Sequence, residues 1–274
     1  MNWQIPQLYF SKLMRAVVEF QLINEGDKIL IGISGGKDSI FLAYALAILK
    51  KRMKKAFCLG AITIDPQFTN NFPVRKIASF CAELDIPFTT FPVNIAGTIH
   101  ETPNKNPCFT CAFFRRGAIN NYAKEHDYNK VAYAHHNDDA VETLLMGLLY
   151  SGQIHTFTPK TYLDRTGITV IRPLIYFREQ EIREAVLLHG FRPIPSPCPL
   201  DGTTMRQEVK ELVANWEKKI RKFMAIWLRQ CEKMQSENFG LPKRRETKCS
   251  KRIVHIKEAL FSNPKPKIPS HLPS

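Results

Sequence analysis

The sequence predicts an α/β fold, a doubly wound and mostly parallel sheet with a helical N-terminal segment and a basic helical C-terminal region. Three observations predict it. Short apolar runs alternate with helix-like stretches, the first run ends at glycine and serine, and 274 residues, 44% of them hydrophobic, suffice for a large core. Such alternation indicates βαβ units. In these folds, ligands bind at the carboxyl ends of the strands.

The predicted elements follow one another in a regular order. Residues 7–23 carry apolar side chains at helical spacing and predict an amphipathic helix. We expect strands at about 28–33, 56–64, 88–93, 130–134 and 167–172, and helices at about 39–50, 74–84, 138–150, 178–188 and 205–234. We predict three parts, namely an N-terminal helix (1–25), a catalytic domain (26–216) and a basic helical extension with a partly disordered tail (217–274).

Composition and charge narrow the classes of function. The apolar runs are too short to cross a membrane and the first residues do not resemble a secretion signal, so we expect a soluble cytoplasmic protein. The net charge is +14, and residues 217–274 hold 15 Lys and Arg against 5 Asp and Glu, a balance of +10. Such a basic region indicates contact with phosphate backbones, although a solvated tail has the same composition.

A turn rich in glycine and serine joins the first predicted strand to a helix. Residues 34–39 read Ser-Gly-Gly-Lys-Asp-Ser. The adjacent glycines allow a tight turn close to an anion, and the N–H groups at the helix start add a positive field. The hydroxyls can donate hydrogen bonds, and Lys37 adds a charge. The turn is not a Walker A loop, because Ile31 and Asp38 stand where Gly and Ser or Thr are needed.

Three of the seven cysteines stand out. Cys108 and Cys111 form a C-x-x-C pair, and Cys198 lies between two prolines. Three soft thiolates suit an iron–sulfur cluster, a structural zinc would want four ligands, and thiolate chemistry by itself permits either. A redox C-x-x-C would leave Cys198 unused. We expect Cys58 and Cys81 to be small buried hydrophobic residues.

Two histidines and two carboxylates share one predicted strand-to-helix junction, where residues 135–139 read His-His-Asn-Asp-Asp. Beside a phosphate site, Asp138 or Asp139 could hold Mg²⁺ or orient a reacting oxygen. The plainer alternative is that Asn137 or Asp138 caps the helix. The histidines are equally open to a packing role.

These stretches resemble one family. Residues 34–39 resemble the PP-loop of the ATP pyrophosphatases (the adenine nucleotide alpha hydrolase type), which cleave ATP between its α- and β-phosphates and adenylate an oxygen. Residues 107–117, 135–143 and 171–179 resemble, in the same order, segments of the TtcA-type tRNA 2-thiocytidine synthetases. The resemblance covers about residues 14–216.

The resemblance implies an ATP- and Mg²⁺-dependent sulfurtransferase. Such an enzyme adenylates the C2 oxygen of an anticodon-loop cytidine in tRNA and replaces it with sulfur delivered through a [4Fe–4S] cluster. The implied nucleotide-binding residues are Ser34, Gly35, Gly36, Lys37, Asp38, Ser39 and, more weakly, Asp65. The implied catalytic residues are Lys37, Asp38, Asp138 and Asp139, and the implied cluster ligands are Cys108, Cys111 and Cys198. The implied partners are tRNA, a sulfur donor such as a cysteine desulfurase, and a second copy in a homodimer.

Two other functions stay open. The first is a PP-loop enzyme with another acceptor, either a different tRNA nucleoside or a small molecule, because residues 66–73 depart from the family pattern. The second is a nucleotide-binding iron–sulfur protein without turnover. Arg115 and Arg116 are candidates for contact with tRNA phosphate or the nucleotide, although arginines on an exposed helix are common.

Overall fold

The computed structural model describes residues 4–53, 56–69, 72–101, 106–202 and 204–237. Within them, one sheet contains six strands: β1 (Lys28–Gly32), β2 (Cys58–Asp65), β3 (Phe88–Pro92), β4 (Lys130–Ala132), β5 (Lys160–Leu163) and β6 (Ile168–Ile171). Their order across the sheet is β3-β2-β1-β4-β6-β5, and every pair is parallel except β5 with β6. The predicted mostly parallel α/β fold is confirmed, and β5 is an edge strand that the sequence did not predict.

The connections between the strands are helical. The described residues form α1 (Gln7–Glu19), α2 (Lys37–Arg52), α3 (Val74–Glu83), α4 (Ile95–Glu101), α5 (Pro107–Glu125), α6 (Asn137–Met146), α7 (Glu179–Leu188), α8 (Met205–Lys219) and α9 (Phe223–Glu237). Of these described helices, none combines the length and the apolarity needed to cross a membrane.

Side chains of β1 alternate between two cores. Ile29 and Ile31 are buried in the larger core, together with apolar side chains of α1, α2 and α7. Leu30 is buried on the other face with Ile119 of α5. This alternation follows from the two-residue period of a strand. Because both faces are covered, the carboxyl ends of the strands are left as the place where loops can meet a ligand.

One predicted helix is two helices. The helix predicted over residues 205–234 is broken at residues 220–222, where Lys222 has φ +65°. This turn lets α9 fold back, so that Phe223 and Met224 pack with α8 side chains against α6. Residues 238–274, which include most of the predicted basic extension, lie outside the described residues.

Two smaller predictions also need correction. The helix predicted over 138–150 ends at Met146 and continues as a π-helical turn over Gly147–Ser151. Cys58 is exposed rather than buried, because it is the first residue of β2, where the strand meets the solvent. Cys81 is buried as predicted, and its burial raises the pKa of its thiol to about 12.

A buried ion pair joins the amino ends of β1 and β4. Lys130 Nζ lies 2.6 Å from Asp27 Oδ2, and the side chains are 5% and 6% exposed. Lys130 also donates to the carbonyl of Leu22, and Asn129 donates to Asp27. Each charged group therefore has several partners, as buried charges require.

We expect Lys130→Met to lower the free energy of unfolding by about 3–5 kcal/mol, because it leaves Asp27 buried without its counter-charge. The double variant Lys130→Met/Asp27→Asn removes both charges and should recover most of that loss. Urea unfolding measures the free energy of unfolding of both variants. Lys28→Met is the control, because Lys28 is exposed and lies close to the pair in the sequence. Equal stability of the single and double variants would contradict the role of the pair.

Candidate active site

The turn between β1 and α2 is held in a conformation that needs glycine. Gly35 has φ +81°, which side chains disfavour. A Cβ there would lie 3.0 Å from Cδ1 of Ile194. The backbone N–H of Ile194 donates to the carbonyl of Gly35 over 2.8 Å. The chain that follows α7 therefore lies directly over the turn.

The two serines brace the turn from within. Ser39 Oγ accepts from the N–H of Ser34 (3.1 Å) and donates to the carbonyl of Gly36 (2.9 Å). Ser34 Oγ lies 3.2 Å from Ser39 Oγ and accepts from the N–H of Gly36. Gly36 is the N-cap of α2, so no cap side chain occupies the N–H groups of the first helical turn. These groups can bind an anion.

A cavity of about 190 Å³ opens beside this turn. Five carboxylates line it, from Asp38, Asp139, Glu142, Glu179 and Asp201. Three cationic side chains face them, from Lys37, Arg206 and Lys210. These residues come from α2, α6, α7 and α8 and from the loop before α8, so the cavity joins motifs that are far apart in the sequence.

Lys37 bridges two of these elements. Its Nζ lies 2.9 Å from Asp38 Oδ2 and 2.9 Å from Glu179 Oε1. Burial opposes its charge, but the two carboxylates outweigh burial and raise the pKa of Lys37. Burial likewise opposes the charge of Glu179, but hydrogen bonds from Lys210, Arg183 and Lys37 hold the pKa of Glu179 well below its usual range. Both groups are therefore charged at neutral pH.

The two aspartates that the sequence could not separate face different ways. Asp138 accepts from the backbone N–H of Glu179 (2.7 Å) and from Nε of Arg178 (3.0 Å), so its carboxylate binds the start of α7. Asp139 lines the cavity, where its Oδ1 lies 3.2 Å from Nη1 of Arg206. Of the pair, Asp139 is the one that a ligand in the cavity could meet.

The cap of α6 is His136, rather than Asn137 or Asp138. His136 Nδ1 accepts from the N–H of Asp139, and Asp139 accepts in return from the N–H of His136. His136 Nε2 lies 3.7 Å from Oδ1 of Asp38, a buried oxygen that has no hydrogen-bond partner among the described residues.

His135 has a packing role. Its ring centroid lies 5.1 Å from that of Phe157 and 6.0 Å from that of Tyr133. Burial, together with the charge of Arg172, lowers the pKa of His135 to about 4. This histidine is therefore neutral at physiological pH.

Glu142 is a titrating group of the cavity to which the sequence assigned no role. It is 5% exposed, and it lies one helical turn after Asp139 on α6. Burial and the charge of Asp139 raise the pKa of Glu142 to about 7, although Arg206 opposes the shift. The spacing of three residues from Asp139 was the available signal, because it places both side chains on one helix face.

Asp65 is not among the residues that line the cavity. It ends β2, the neighbour of β1, and its Oδ1 accepts from the backbone N–H of Gln67 over 2.9 Å. Gln67 has φ +57°, so this hydrogen bond holds a tight turn. Nucleotide contact by Asp65 stays a prediction.

The three predicted cysteine ligands come from two segments. Cys108 and Cys111 lie at the start of α5, whose N-cap Asn106 accepts from the N–H of Cys108. Burial raises the pKa of Cys111, with further contributions from Cys198 and Cys108, while Arg115 opposes the shift. Cys198 and Cys108 are therefore both close enough to act on Cys111 electrostatically.

Cys198 also lies beside the cavity. Asp201, which lines the cavity, donates from its N–H to the carbonyl of Cys198 over 3.2 Å. Ile194, four residues earlier, contacts Gly35. Because an extended chain spans at most about 3.6 Å per residue, the Cα of Cys198 lies within about 14 Å of that of Ile194.

Across the described ranges, no three His, Cys, Asp or Glu side chains gather closely enough to hold a single metal ion. An iron–sulfur cluster is held differently from a single ion bound by side chains alone. In an iron–sulfur cluster each cysteine binds a different iron, so the sulfurs lie farther apart. Magnesium in turn is commonly bound by one or two carboxylates together with substrate phosphates.

We expect Glu142 to make stability depend on pH. Because folding raises its pKa from 4.5 to about 7, the folded state loses stability as pH rises through this interval. We expect Glu142 to lower the free energy of unfolding by about 2–3 kcal/mol between about pH 5 and about pH 8. This part of the pH dependence should be absent in Glu142→Gln. Urea unfolding of wild type and variant at both pH values measures it, with the exposed Glu211→Gln as control. The same pH dependence in Glu142→Gln as in wild type would contradict it.

Comparison with known proteins identifies the family. A PP-loop domain model matches residues 9–215. A tRNA-cytidine(32) 2-sulfurtransferase of Cellvibrio japonicus is 33% identical over 229 residues, which cover 80% of this chain and 76% of that protein. A protein of the same name from Geobacter metallireducens is 35% identical over 213 residues, which cover 74% of this chain and 80% of that protein.

A solved structure has the same fold. The U34-tRNA thiolase NcsA from Methanococcus maripaludis, with its [4Fe–4S] cluster, matches with a TM-score of 0.70 at 22% identity. The match covers 88% of this chain and 82% of that one. Together with the sequence matches, it confirms the predicted fold and family. The chain belongs to the PP-loop family and, within it, to the enzyme family of the tRNA-cytidine(32) 2-sulfurtransferases.

Proposed function

We propose that this enzyme forms 2-thiocytidine in the anticodon loop of tRNA, at the position 32 that appears in the names of its relatives. The observation that carries the proposal is the course of residues 194–201. This segment contacts the phosphate-type turn at Gly35, lines the cavity with Asp201, and carries Cys198 between these two points. The turn that we propose as the nucleotide site and the segment that carries the thiol of Cys198 are therefore in direct contact.

The reaction has two steps. The C2 oxygen of the cytidine attacks the α-phosphorus of ATP, and pyrophosphate leaves with the electron pair of the broken P–O bond. A hydrosulfide then attacks C2, and AMP leaves with the former base oxygen. The N–H groups of the first turn of α2 and the ammonium of Lys37 would bind the phosphates and stabilise the charge that builds up on them.

The charges around the cavity support a requirement for Mg²⁺. Five carboxylates face three cations there, and the phosphates of ATP add further negative charge. The buried Oδ1 of Asp38, which has no hydrogen-bond partner in the part of the chain that the structure describes, fits a cation ligand, and Asp139 offers a second carboxylate. When bound, Mg²⁺ would neutralise the phosphates and orient them.

The three thiols fit a [4Fe–4S] cluster. Cys108, Cys111 and Cys198 would form an all-sulfur donor set. Thiolates are the ligands that such clusters use. When bound, the cluster would supply the sulfur. The sulfur donor, the homodimer, the cytoplasmic location and the domain boundaries stay predictions.

The role of the turn is tested by Lys37→Ala. We expect tRNA thiolation to fall about 100-fold or more, because a charge that stabilises the phosphates is lost. Mass spectrometry of nucleosides from a deletion strain that carries the variant measures it. Lys50→Ala, at the exposed end of α2, is the control and should support full thiolation.

Two results would contradict the proposal. Thiolation at the wild-type level in Lys37→Ala would exclude the turn as the ATP site. A deletion strain that lacks a thiolated uridine, yet keeps its 2-thiocytidine, would assign a different acceptor nucleoside.

The role of the cysteines is tested by anaerobic purification with iron and sulfide analysis. We expect Cys108→Ala, Cys111→Ala and Cys198→Ala each to lose most of the bound iron, because three ligands hold the cluster. Cys58→Ala is the matched control, since Cys58 is exposed on β2. Bound zinc in place of iron, or unchanged iron in all three variants, would overturn the assignment.

A further inference from the structure

Helix α5 exposes aromatic rings beside the cysteine pair. Phe109 is 65% exposed and Phe113 is 60% exposed. Their ring centroids lie 6.4 Å apart, and the ring planes differ by only 20°. Phenylalanine is normally among the most buried residues, so two nearly parallel rings in solvent indicate a surface that binds something.

Cationic side chains share this side of α5. Arg116 lies three residues after Phe113, and its Nε donates to the carbonyl of Ala112 over 3.1 Å, which holds the side chain along the helix. Lys124 follows two turns later, and both cations are exposed. The helical period places the two phenylalanines, Arg116 and Lys124 on one side. We refer to these four residues as the aromatic face.

We propose that the aromatic face binds unpaired nucleobases of the RNA substrate. The inference rests on the proposed function, because it takes RNA as the substrate. Aromatic rings stack on any base, and base stacking with nearby cations is how proteins bind single-stranded nucleic acid. Paired bases are already stacked on both sides, so the partner is an unpaired loop.

Charge favours RNA over a second copy of the chain. The chain has a net charge of +14, and Arg116 and Lys124 lie on the same side of α5 as the exposed rings. Two copies that met through this face would bring like charges together, which is costly. A polyanion would instead pair with them.

The aromatic face lies on the helix that also carries the cysteine pair. Phe109 follows Cys108 directly, and Phe113 lies two residues after Cys111. With a rise of about 1.5 Å per residue, the two rings are separated by about 6 Å along the helix axis, over the same turns as the cysteines. The helical period turns the buried Cys111 to the opposite side of α5, so a loop base stacked on the rings would lie on the outer side of the helix that carries the cysteine pair.

The test compares two double variants of the iron-loaded protein. Phe109→Ser/Phe113→Ser removes the rings, and Leu187→Ser/Leu188→Ser is the control, because these leucines are 78% and 67% exposed at the end of α7. The probe is a fluorescent anticodon stem–loop RNA, titrated at several salt concentrations. We expect the phenylalanine variant to bind it about tenfold more weakly or worse, and the leucine variant to bind as wild type does.

Salt dependence separates stacking from phosphate contact. The slope of log affinity against log salt should be unchanged in the phenylalanine variant, because stacking releases no counterions. Arg116→Gln should reduce that slope by about 0.7, the value for one phosphate contact on a single strand. The affinity difference between wild type and the phenylalanine variant should vanish when a complementary oligonucleotide pairs the loop.

Several outcomes would overturn the inference. One is wild-type affinity in the phenylalanine variant, and another is an equal loss in the leucine control. A third is a phenylalanine variant that light scattering shows to be a monomer where the wild type is a dimer, with unchanged RNA affinity. That result would mean that the aromatic face binds a second copy of the chain. ATP affinity, iron content and melting temperature show whether the variant is folded. A wild-type protein that binds the RNA but thiolates no nucleoside would contradict the proposed function. The RNA affinities of the variants would still decide whether the aromatic face binds unpaired bases.

Discussion

The site depends on one close approach, between the turn at Gly35 and the chain that follows α7. Only glycine combines a φ of +81° with room for Ile194, whose Cδ1 would lie 3.0 Å from a Cβ at position 35. The hydrogen bond between their backbones anchors the segment there. Because the segment is anchored, Asp201 and Cys198 lie beside a turn that precedes them by more than 160 residues.

Around this contact, ion pairs on the cavity side join helices whose other faces pack through apolar side chains. Lys37 and Lys210 both bind Glu179, and Arg206 contacts both Asp139 and Glu142. A buried charge needs a counter-charge, so these pairs stabilise one another. The same groups are those that a polyphosphate and its cation would bind. On the proposed function, a bound ligand would compete with these ion pairs for the same side chains.

Local patterns predicted most of the fold because most elements bury a periodic face. Helices α4 and α5 and strand β5 escaped prediction, because few of their side chains are buried and they show no clear apolar period. Strand β5 is a four-residue edge strand that is only partly buried. The break between α8 and α9 interrupts an apolar period that runs through it, and it follows from the packing of Phe223 and Met224 against α6. That packing joins distant residues and leaves no local signal.

The sequence by itself predicted the chemistry: the anion-binding turn, the C-x-x-C pair and the acidic junction are each short motifs whose residues are neighbours in the chain, and only Cys198 lies far from its predicted partners. It could not choose between Asp138 and Asp139, because adjacent helical residues point about 100° apart and either direction can face a ligand. Only the tertiary structure decided this, by turning Asp138 to the start of α7 and Asp139 to the cavity. It also brought Glu179 and Arg206 to Lys37 and Asp139, contacts that no periodicity encodes because they join residues far apart in the chain.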